Sequence, residues 1–440
     1  MFHELGRAAA RALFAGCVCI LLPGCPPPCV ESGTPVAGEV FQVDGFGTIA
    51  TLGQLGGGAI VGAQINAGGS VAAYGYACDA RAFRWEDGTL LALGSLGGTG
   101  SQALGINNLG QIVGTADTGR VAAAALVPLW LVPVPEWRAV LWEDGQIVRL
   151  GDLAGTMGSG AAAINDAGQI VGWAELPWGQ DASVAQADED ATDAAAKMQA
   201  RATSRMLPPR IPVLWEYVDG AWQITDLRVY GLGSATDINN RGEIVGGSSE
   251  YASLGGPGRA LLWSDAVLTD LGTLGGENSG ALVINDLGQV VGLADTADFL
   301  DQSDYPQAVT HAFLWHSGEM TDLGTLGGDA SIARDINNHA QIVGTSETGE
   351  LRGDPDPWYR IEHAFIWQDG KMTDLNVLLP SDSGWEFLSA VAISDSGQIL
   401  AEATHDLGPD ETGVPQGSLE YVVITLAPEA LQRTSGAGQP

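Results

Sequence analysis

The chain has 440 residues, 45% of them hydrophobic, with 53 acids against 19 bases and a formal charge of −34. That hydrophobic fraction excludes wholesale disorder, and the charge repels phosphate backbones, which excludes nucleic acid as a partner. Cations, neutral glycans and basic proteins remain as partners.

The first segment reads as an export signal. Arg7 and Arg11 precede the apolar run "ALFAGCVCILL" (12–22), which is too short to span a membrane as a stable anchor. It ends in "LPGC", with Gly24 before Cys25, the form of a bacterial lipobox in which the cysteine is lipidated. The competing reading is an ordinary secretory signal with an incidental cysteine. Residues 1–24 are therefore assigned to a signal peptide and Cys25 to lipidation, with the Pro-rich stretch 25–37 as a stiff tether. Cleavage before Cys25 leaves Cys29 and Cys78 as a candidate disulfide in an oxidising compartment. The location that follows is extracytoplasmic: lipid-anchored to the outer membrane or cell surface, or secreted.

From there one unit recurs. "INNLGQIVG" (106–114) returns as "INDAGQIVG" (164–172), "INNRGEIVG" (238–246), "INDLGQVVG" (284–292) and "INNHAQIVG" (336–344), with looser copies at 65–75 and 393–404. Each copy predicts a tight hairpin between two strands, with Asn/Asp capping the turn and Gly taking positive φ. A third strand follows ("RAFRW", "RAVLW", "IPVLW", "RALLW", "HAFLW", "HAFIW"), then a turn, a short fourth strand and a Gly-rich link such as "LGTLGG". The interval from Ile65 to Ile106 is 41 residues, close to the roughly 40–45 of a four-stranded propeller blade.

Strands such as "QIVG" are apolar on successive residues, which predicts burial on both faces, as in blades standing radially. Before the first copy stands only a fourth-type strand (46–52); after the seventh stands only a third-type strand (419–426). Pairing them completes a seventh blade and leaves no open edge. The expectation is an all-β, seven-bladed β-propeller of four-stranded antiparallel blades over 38–428. It carries insertions at 117–137 and 176–209, has the N-terminal strand outermost in the last blade, and is followed by a disordered tail, 429–440.

These motifs in order, "HAFLW…DLGTLGG…IN…GQIVG", resemble the HAF extracellular repeat family of bacterial exported proteins. The His-Ala-Phe signature stands at His311–Phe313 and His363–Phe365, and the resemblance covers about 46–426. It implies fold and location and supplies no site, because the family's biochemical role is undefined.

The residues themselves offer no catalytic constellation. The Gly-rich links lack the Lys and Ser/Thr of a P-loop, and there is no Gly-x-Ser-x-Gly elbow. His311 and His363 occupy one repeat position on different blades, which points to a strand-end hydrogen bond before a metal ligand. Asp270, Asp322 and Asp374 read as turn features. The inner strands carry few charged residues: Asp237, Arg334 and Asp335. The long connections all fall between second and third strands, on one face, and loops of that kind carry function. Trp178, Trp358 and Tyr359 are the ligand-binding candidates there. Asp295, Asp298, Asp301 and Asp304 are a candidate Ca²⁺ set without EF-hand spacing. The functional reading is a monomeric cell-surface module that binds protein or glycan through those loops and needs no cofactor apart from that candidate Ca²⁺. The alternative is a hydrolase or lyase with a carboxylate or metal site at the tunnel mouth.

Overall fold

The structure, a computed structural model, describes residues 35–55, 58–76, 80–127, 130–177, 208–249, 252, 256–300, 307–351, 360–409 and 415–434. Seven antiparallel sheets follow one another around an axis as a seven-bladed β-propeller. Blade 5 is typical: Gly275–Ile284 innermost, then Val290–Leu300, Gln307–His316 and Glu319–Asp322.

Successive apolar residues in the second strands serve two interfaces. Ile112 packs in the cluster between blades 1 and 2, while its neighbour Val113 packs between blades 2 and 3. The same division holds for Val290 and Val291 and for Ile342 and Val343. The buried residues accordingly fall into seven clusters, one at each blade interface, instead of a single central core. The third-strand tryptophans lie in or against these clusters, Trp215 only 1% exposed with its indole N–H donating to the Gly151 carbonyl.

The ring closes as the chain ends required. Gly47–Thr51 pairs with Pro415–Leu426, from Gly47 opposite Leu426 to Thr51 opposite Val422. One detail differs: Val40–Val43 pairs outside Gly47–Thr51, so the last blade has five strands and the edge is one strand further out. Phe41 on that added strand meets the Trp385 ring edge-on at 5.4 Å, which gives it apolar surface to cover. Pro35–Val36, expected in the tether, pairs with Gln54–Leu55 and adds to blade 1. The expected disordered tail is also corrected at its start. Pro428–Thr434 is a helix that buries Ala430 and Thr434, and the Arg433 guanidinium donates to the carbonyls of Gly45 and Leu378. Residues 435–440 lie outside the described residues.

The insertion at 117–137 is not a loop. Ile112–Val127 and Trp130–Glu143 continue their pairing past the blade as a hairpin arm, through two register shifts between Asp117 and Ala123, to Val127 opposite Trp130. Shorter arms rise from blades 5, 6 and 7. The arms share a face with the Gly-rich links, since Gly98 and Gly328 donate to the carbonyls of Asp117 and Glu347. In blade 3, the Leu176 N–H donates to the Pro209 carbonyl and closes the base of the second insertion; 178–207 lie outside the described residues. Among the described residues no helix is long and apolar enough to cross a membrane.

Closure rests on a strand from the opposite chain end, so deletion of 36–52 should remove two strands from the last blade together with Ile49 and Leu52 of its flanking clusters. The expected outcome is loss of the single cooperative melting transition of the whole ring, followed by circular dichroism. A variant that melts like the intact chain would overturn the closure.

Candidate functional site

Every inner strand carries a β-bulge one turn of chain before its end. Register shifts leave Ala63, Leu104, Ala162, Thr236, Leu282, Arg334 and Val391 without a partner across the ladder. A bulge kinks the strand and re-aims the residues that follow it. The facing strand must come close there, which explains the Gly of "QIVG". A Cβ at Gly114 would sit 1.9 Å from the Gln102 carbonyl oxygen, and one at Gly292 2.0 Å from that of Gly280.

Beyond the bulge, the asparagine of each "IN" copy bridges blades. Its Oδ1 accepts main-chain N–H groups of its own turn; Asn239, for example, accepts from Arg241 and Glu243 at 3.0 Å each. Its Nδ2 donates to the carbonyl at the same position on the next blade. The links run Asn66 to Asn107, Asn107 to Asn165, Asn165 to Asn239, Asn239 to Asn285, Asn285 to Asn337 and Asn337 to Ser394, at 2.9–3.1 Å. All six asparagines are 3–8% exposed, so these groups have no water to fall back on. Ser394 replaces asparagine in blade 7. The junction of blades 7 and 1 keeps its apolar cluster, in which Leu400 lies over Gly62.

The next residue around the ring alternates: Asn108, Asp166, Asn240, Asp286, Asn338, Asp395. Each hands an oxygen to the preceding blade's main-chain N–H; for example, Asn240 N donates to Asp286 Oδ1 at 2.8 Å and Asp286 N to Asn338 Oδ1 at 2.9 Å. The asparagine amides donate to the carboxylates on either side, Asn240 to Asp286 at 3.0 Å and to Asp166 at 3.3 Å. Alternation is what this chemistry demands. Adjacent carboxylates have no donor to share, and adjacent carboxamides leave N–H groups over. Seven positions cannot alternate completely, and the break falls at Ala67.

This rim encloses a cavity of about 140 Å³ on the axis, opening on the hairpin-turn face. Asp237 of blade 4, Asp335 of blade 6 and Gln64 of blade 1 also line it. Asp237 Oδ2 accepts the Ile284 N–H of blade 5 at 2.9 Å; Asp335 Oδ2 accepts the Ile393 N–H of blade 7 at 2.8 Å. Both carboxylates thus latch neighbouring blades from inside. Burial pushes the Asp237 carboxyl up to about 7 and Asp335 to about 8; the main-chain donors pull the other way, and Asp286, Asp237 and Asp395 add like-charge repulsion. Arg334 lies on the bulge beside Asp335 and donates to Thr345 Oγ1 at 3.2 Å.

Of the residues singled out from the sequence, Asp237, Arg334 and Asp335 are thus at or near the axis, on the turn face instead of the loop face where a ligand was expected. His311 and His363 tie third strands to fourth, Nδ1 to Asp322 at 2.9 Å and to Asp374 at 2.6 Å, and the bond to Asp374 raises the pKa of His363. Asp322 and Asp374 also accept turn N–H groups, from Gly324 and Asn376. Asp295 is buried on a strand, where Asn278 Nδ2 donates to it at 2.8 Å and Thr310 Oγ1 at 3.2 Å; Asp298 is exposed. Among the described residues no group of three or more His, Cys, Asp or Glu is placed to hold a metal ion. Cys25, Cys29, Cys78, Trp178, Asp301, Asp304, Trp358 and Tyr359 lie outside the described residues.

No protein-family model matches the chain, and none of the curated proteins does. Among solved structures it is similar to a gluconolactonase of Xanthomonas campestris, at 11% identity and a TM-score of 0.33 over 91% of this chain and 99% of that one. It is also similar to the sialidase of Trypanosoma rangeli, at 12% and 0.33, and to an acylaminoacyl peptidase of Pyrococcus horikoshii, at 9% and 0.31. The match spans 80% of this chain and 58% of each of the latter two. Likenesses this distant carry no argument about activity.

Two predictions follow from the site. Asn239→Ala should strip the donor to Asn285 O and the acceptor for two turn N–H groups, at a cost of about 1–3 kcal/mol in urea unfolding. Asn239→Asp keeps the acceptor but sets a carboxylate against the Asn285 carbonyl and the Glu243 carboxylate, so it should cost at least as much near neutral pH. The second concerns pH. An acid whose folded pKa is raised binds its proton more tightly folded than unfolded, so its stabilising effect is complete below about 4 and fades as pH rises through about 7 for Asp237 and about 8 for Asp335. The melting temperature should therefore fall from pH 5 to pH 8.5, and Asp237→Asn with Asp335→Asn should flatten that slope.

Proposed function

We propose that this protein is an exported, lipid-anchored binding module of the cell envelope, and that it meets a protein or glycan partner at the axial mouth on the hairpin-turn face. The observation that carries the reading is the cavity itself: a concave site with convergent carboxamide and carboxylate groups, on a rim too heavily hydrogen-bonded to rearrange. Its size suits one cationic or hydroxyl-rich group, such as a lysine end or an amino sugar, better than an extended chain. Exposed Leu109 and Leu287 at the tips of two turns supply apolar contacts around it. The motif resemblance to the HAF repeats and the lipobox at Cys25 support export and a lipid anchor. No cofactor enters this reading, and Ca²⁺, for the candidate set Asp295, Asp298, Asp301 and Asp304, is an additive to include in the screen.

An enzyme, a hydrolase or lyase, is the second reading, and one observation favours it: two carboxyls with raised pKa values in one cavity, Asp335 buried and Asp237 partly so. Against it, both already accept main-chain N–H groups from the next blade, which is the work of a latch.

The test is a binding screen of the processed chain carrying Cys25→Ala against envelope proteins, peptidoglycan and glycans, with and without Ca²⁺. For any stoichiometric ligand found, Leu109→Lys and Leu287→Lys should weaken binding at least tenfold, while Phe299→Ser on the opposite face should not. The reverse pattern would return the ligand site to the arms. Turnover of any ligand that Asp335→Asn abolishes would establish the enzyme reading instead. Separately, Cys25→Ala should abolish fatty-acid labelling and release the protein from membranes.

A further inference from the structure

At the level of the bulges the axial cavity is polar on three of its seven sides. One residue follows the bulge on each inner strand: glycine, alanine or valine in four blades, and Gln64, Asp237 and Asp335 in blades 1, 4 and 6. All three line the cavity. They stand three, two and two blades apart around the ring, which an even seven-fold circle spaces at about 150°, 100° and 100°. Asp335 accepts main-chain N–H groups from Ile336 and Ile393 at 2.8 Å each, and Asp237 from Ile284 at 2.9 Å and from Ile238. A carboxylate has about four acceptor positions, so each keeps some unused. The Gln64 carboxamide has no partner among the described residues.

Three acceptors spread around an axis match one donor chemistry. A primary ammonium carries a positive charge and three N–H groups set evenly around its C–N bond. A guanidinium is planar and forks its donors. A quaternary ammonium has no donor and is held by aromatic faces, and no aromatic residue lines this cavity. An amino sugar brings hydroxyls that would have to bond the rim, whose amides and carboxylates are already committed to one another. A plain methylene stem asks nothing of that rim.

We infer that the axial cavity takes an unbranched primary alkylammonium, the chemistry shared by free amines and lysine ends, with Gln64, Asp237 and Asp335 accepting its three N–H groups. The inference rests on the reading of the mouth as the binding site and narrows its ligand. The charges around the pair agree with it. Besides each other, Asp237 and Asp335 are faced by Asp166, Asp286 and Asp395 of the rim. Arg334, the one Lys or Arg on an inner strand among the described residues, stands outside the cavity lining and acts on Glu402 of blade 7. The cavity is thus negative without a cation of its own. Burial holds the two carboxyls protonated up to about 7 and about 8, and an ammonium beside them favours ionisation. Capture therefore releases protons and strengthens as pH rises through that range.

The processed chain with Cys25→Ala is titrated calorimetrically with n-butylamine, and with Nα-acetyl-lysine methylamide as the peptide-borne form of the same group. Butylamine should fill one site at pH 8.5, at least tenfold more tightly than tetramethylammonium, methylguanidinium or glucosamine. Its affinity should fall at least tenfold by pH 5.5, and buffers of different ionisation enthalpy should report proton release. Asp335→Asn should weaken binding at least tenfold and flatten the pH dependence. Gln64→Ala breaks no hydrogen bond of the fold, so it should weaken binding at least threefold at an unchanged melting temperature. That keeps the test decisive if the aspartate variant unfolds. Binding of both amines admits a protein lysine as the source, and binding of butylamine alone restricts it to a free amine; either sustains the site. No saturable butylamine site, equal affinity for tetramethylammonium, or a silent Gln64→Ala overturns the assignment, even where the screen finds a partner at the mouth. Uptake at many weak sites that Asp335→Asn leaves unchanged is surface charge alone and overturns it too. A saturable site with these properties and no envelope partner in the screen sustains the ammonium site and sinks the binding-module reading.

Discussion

The asparagine at the end of each inner strand satisfies its own turn with one atom and the neighbouring blade with the other. A radial ring of sheets has no continuous main-chain ladder from blade to blade, because the strands of one sheet stand face to face with the next and side chains make most of the contact. Apolar packing fills most of each interface but is not directional, and it fixes neither the height nor the rotation of one blade against another. The carboxamide does both at once, since its donor reaches the next carbonyl only when the two turns are level. The bulge before it, the Gly facing the bulge and the positive-φ residue closing the turn all serve to deliver that amide to the axis. Six of the seven junctions are built so. The seventh lacks the asparagine and is the junction between the blade completed from the two chain ends and blade 1.

Much of this was legible in the sequence. Repeat length, the apolar pairs in the second strands and the complementary half-blades at the ends set the seven blades and their closure, because each follows from a short-range pattern. The arms were harder. "GRVAAAALVPLWLVPVPEW" has too many alanines and prolines to read as two strands, yet pairing already begun at Ile112 and Trp142 carries on into it. Tertiary continuation outweighed local propensity there. The terminal helix was missed for the opposite reason. Seven residues give little periodicity, and what holds them is Arg433 reaching carbonyls far away in sequence.

The site was half legible. Asp237 and Asp335 stood out as charges on otherwise apolar inner strands, but nothing local said which end of the strand faced a cavity. The rim was written openly, as Asn and Asp alternating at one repeat position from Asn108 to Asp395. Taken one hairpin at a time, each is an ordinary turn residue. The alternation acquires meaning only when the seven turns form a circle, since the two partners of each side chain lie 46 to 74 residues away in the middle of the ring.

That rim also bears on what the axis can do. Asp166 and Asp286 each receive two amide donors and a main-chain N–H, so their charge is spread over hydrogen bonds instead of being offered to a metal ion. Such an arrangement is rigid, polar and negative without being strongly coordinating. That is why the proposed ligand is a cationic or hydroxylated group and not a bare ion, which would have to break the ring to obtain its ligands. The inner pair, Asp237 and Asp335, couples the same axis to blade packing. A positive group in the cavity would favour their ionised forms and offset the desolvation that otherwise makes their ionisation weaken the fold. On the proposed reading, a cationic ligand at the mouth is thus linked to two blade junctions through the protons of Asp237 and Asp335.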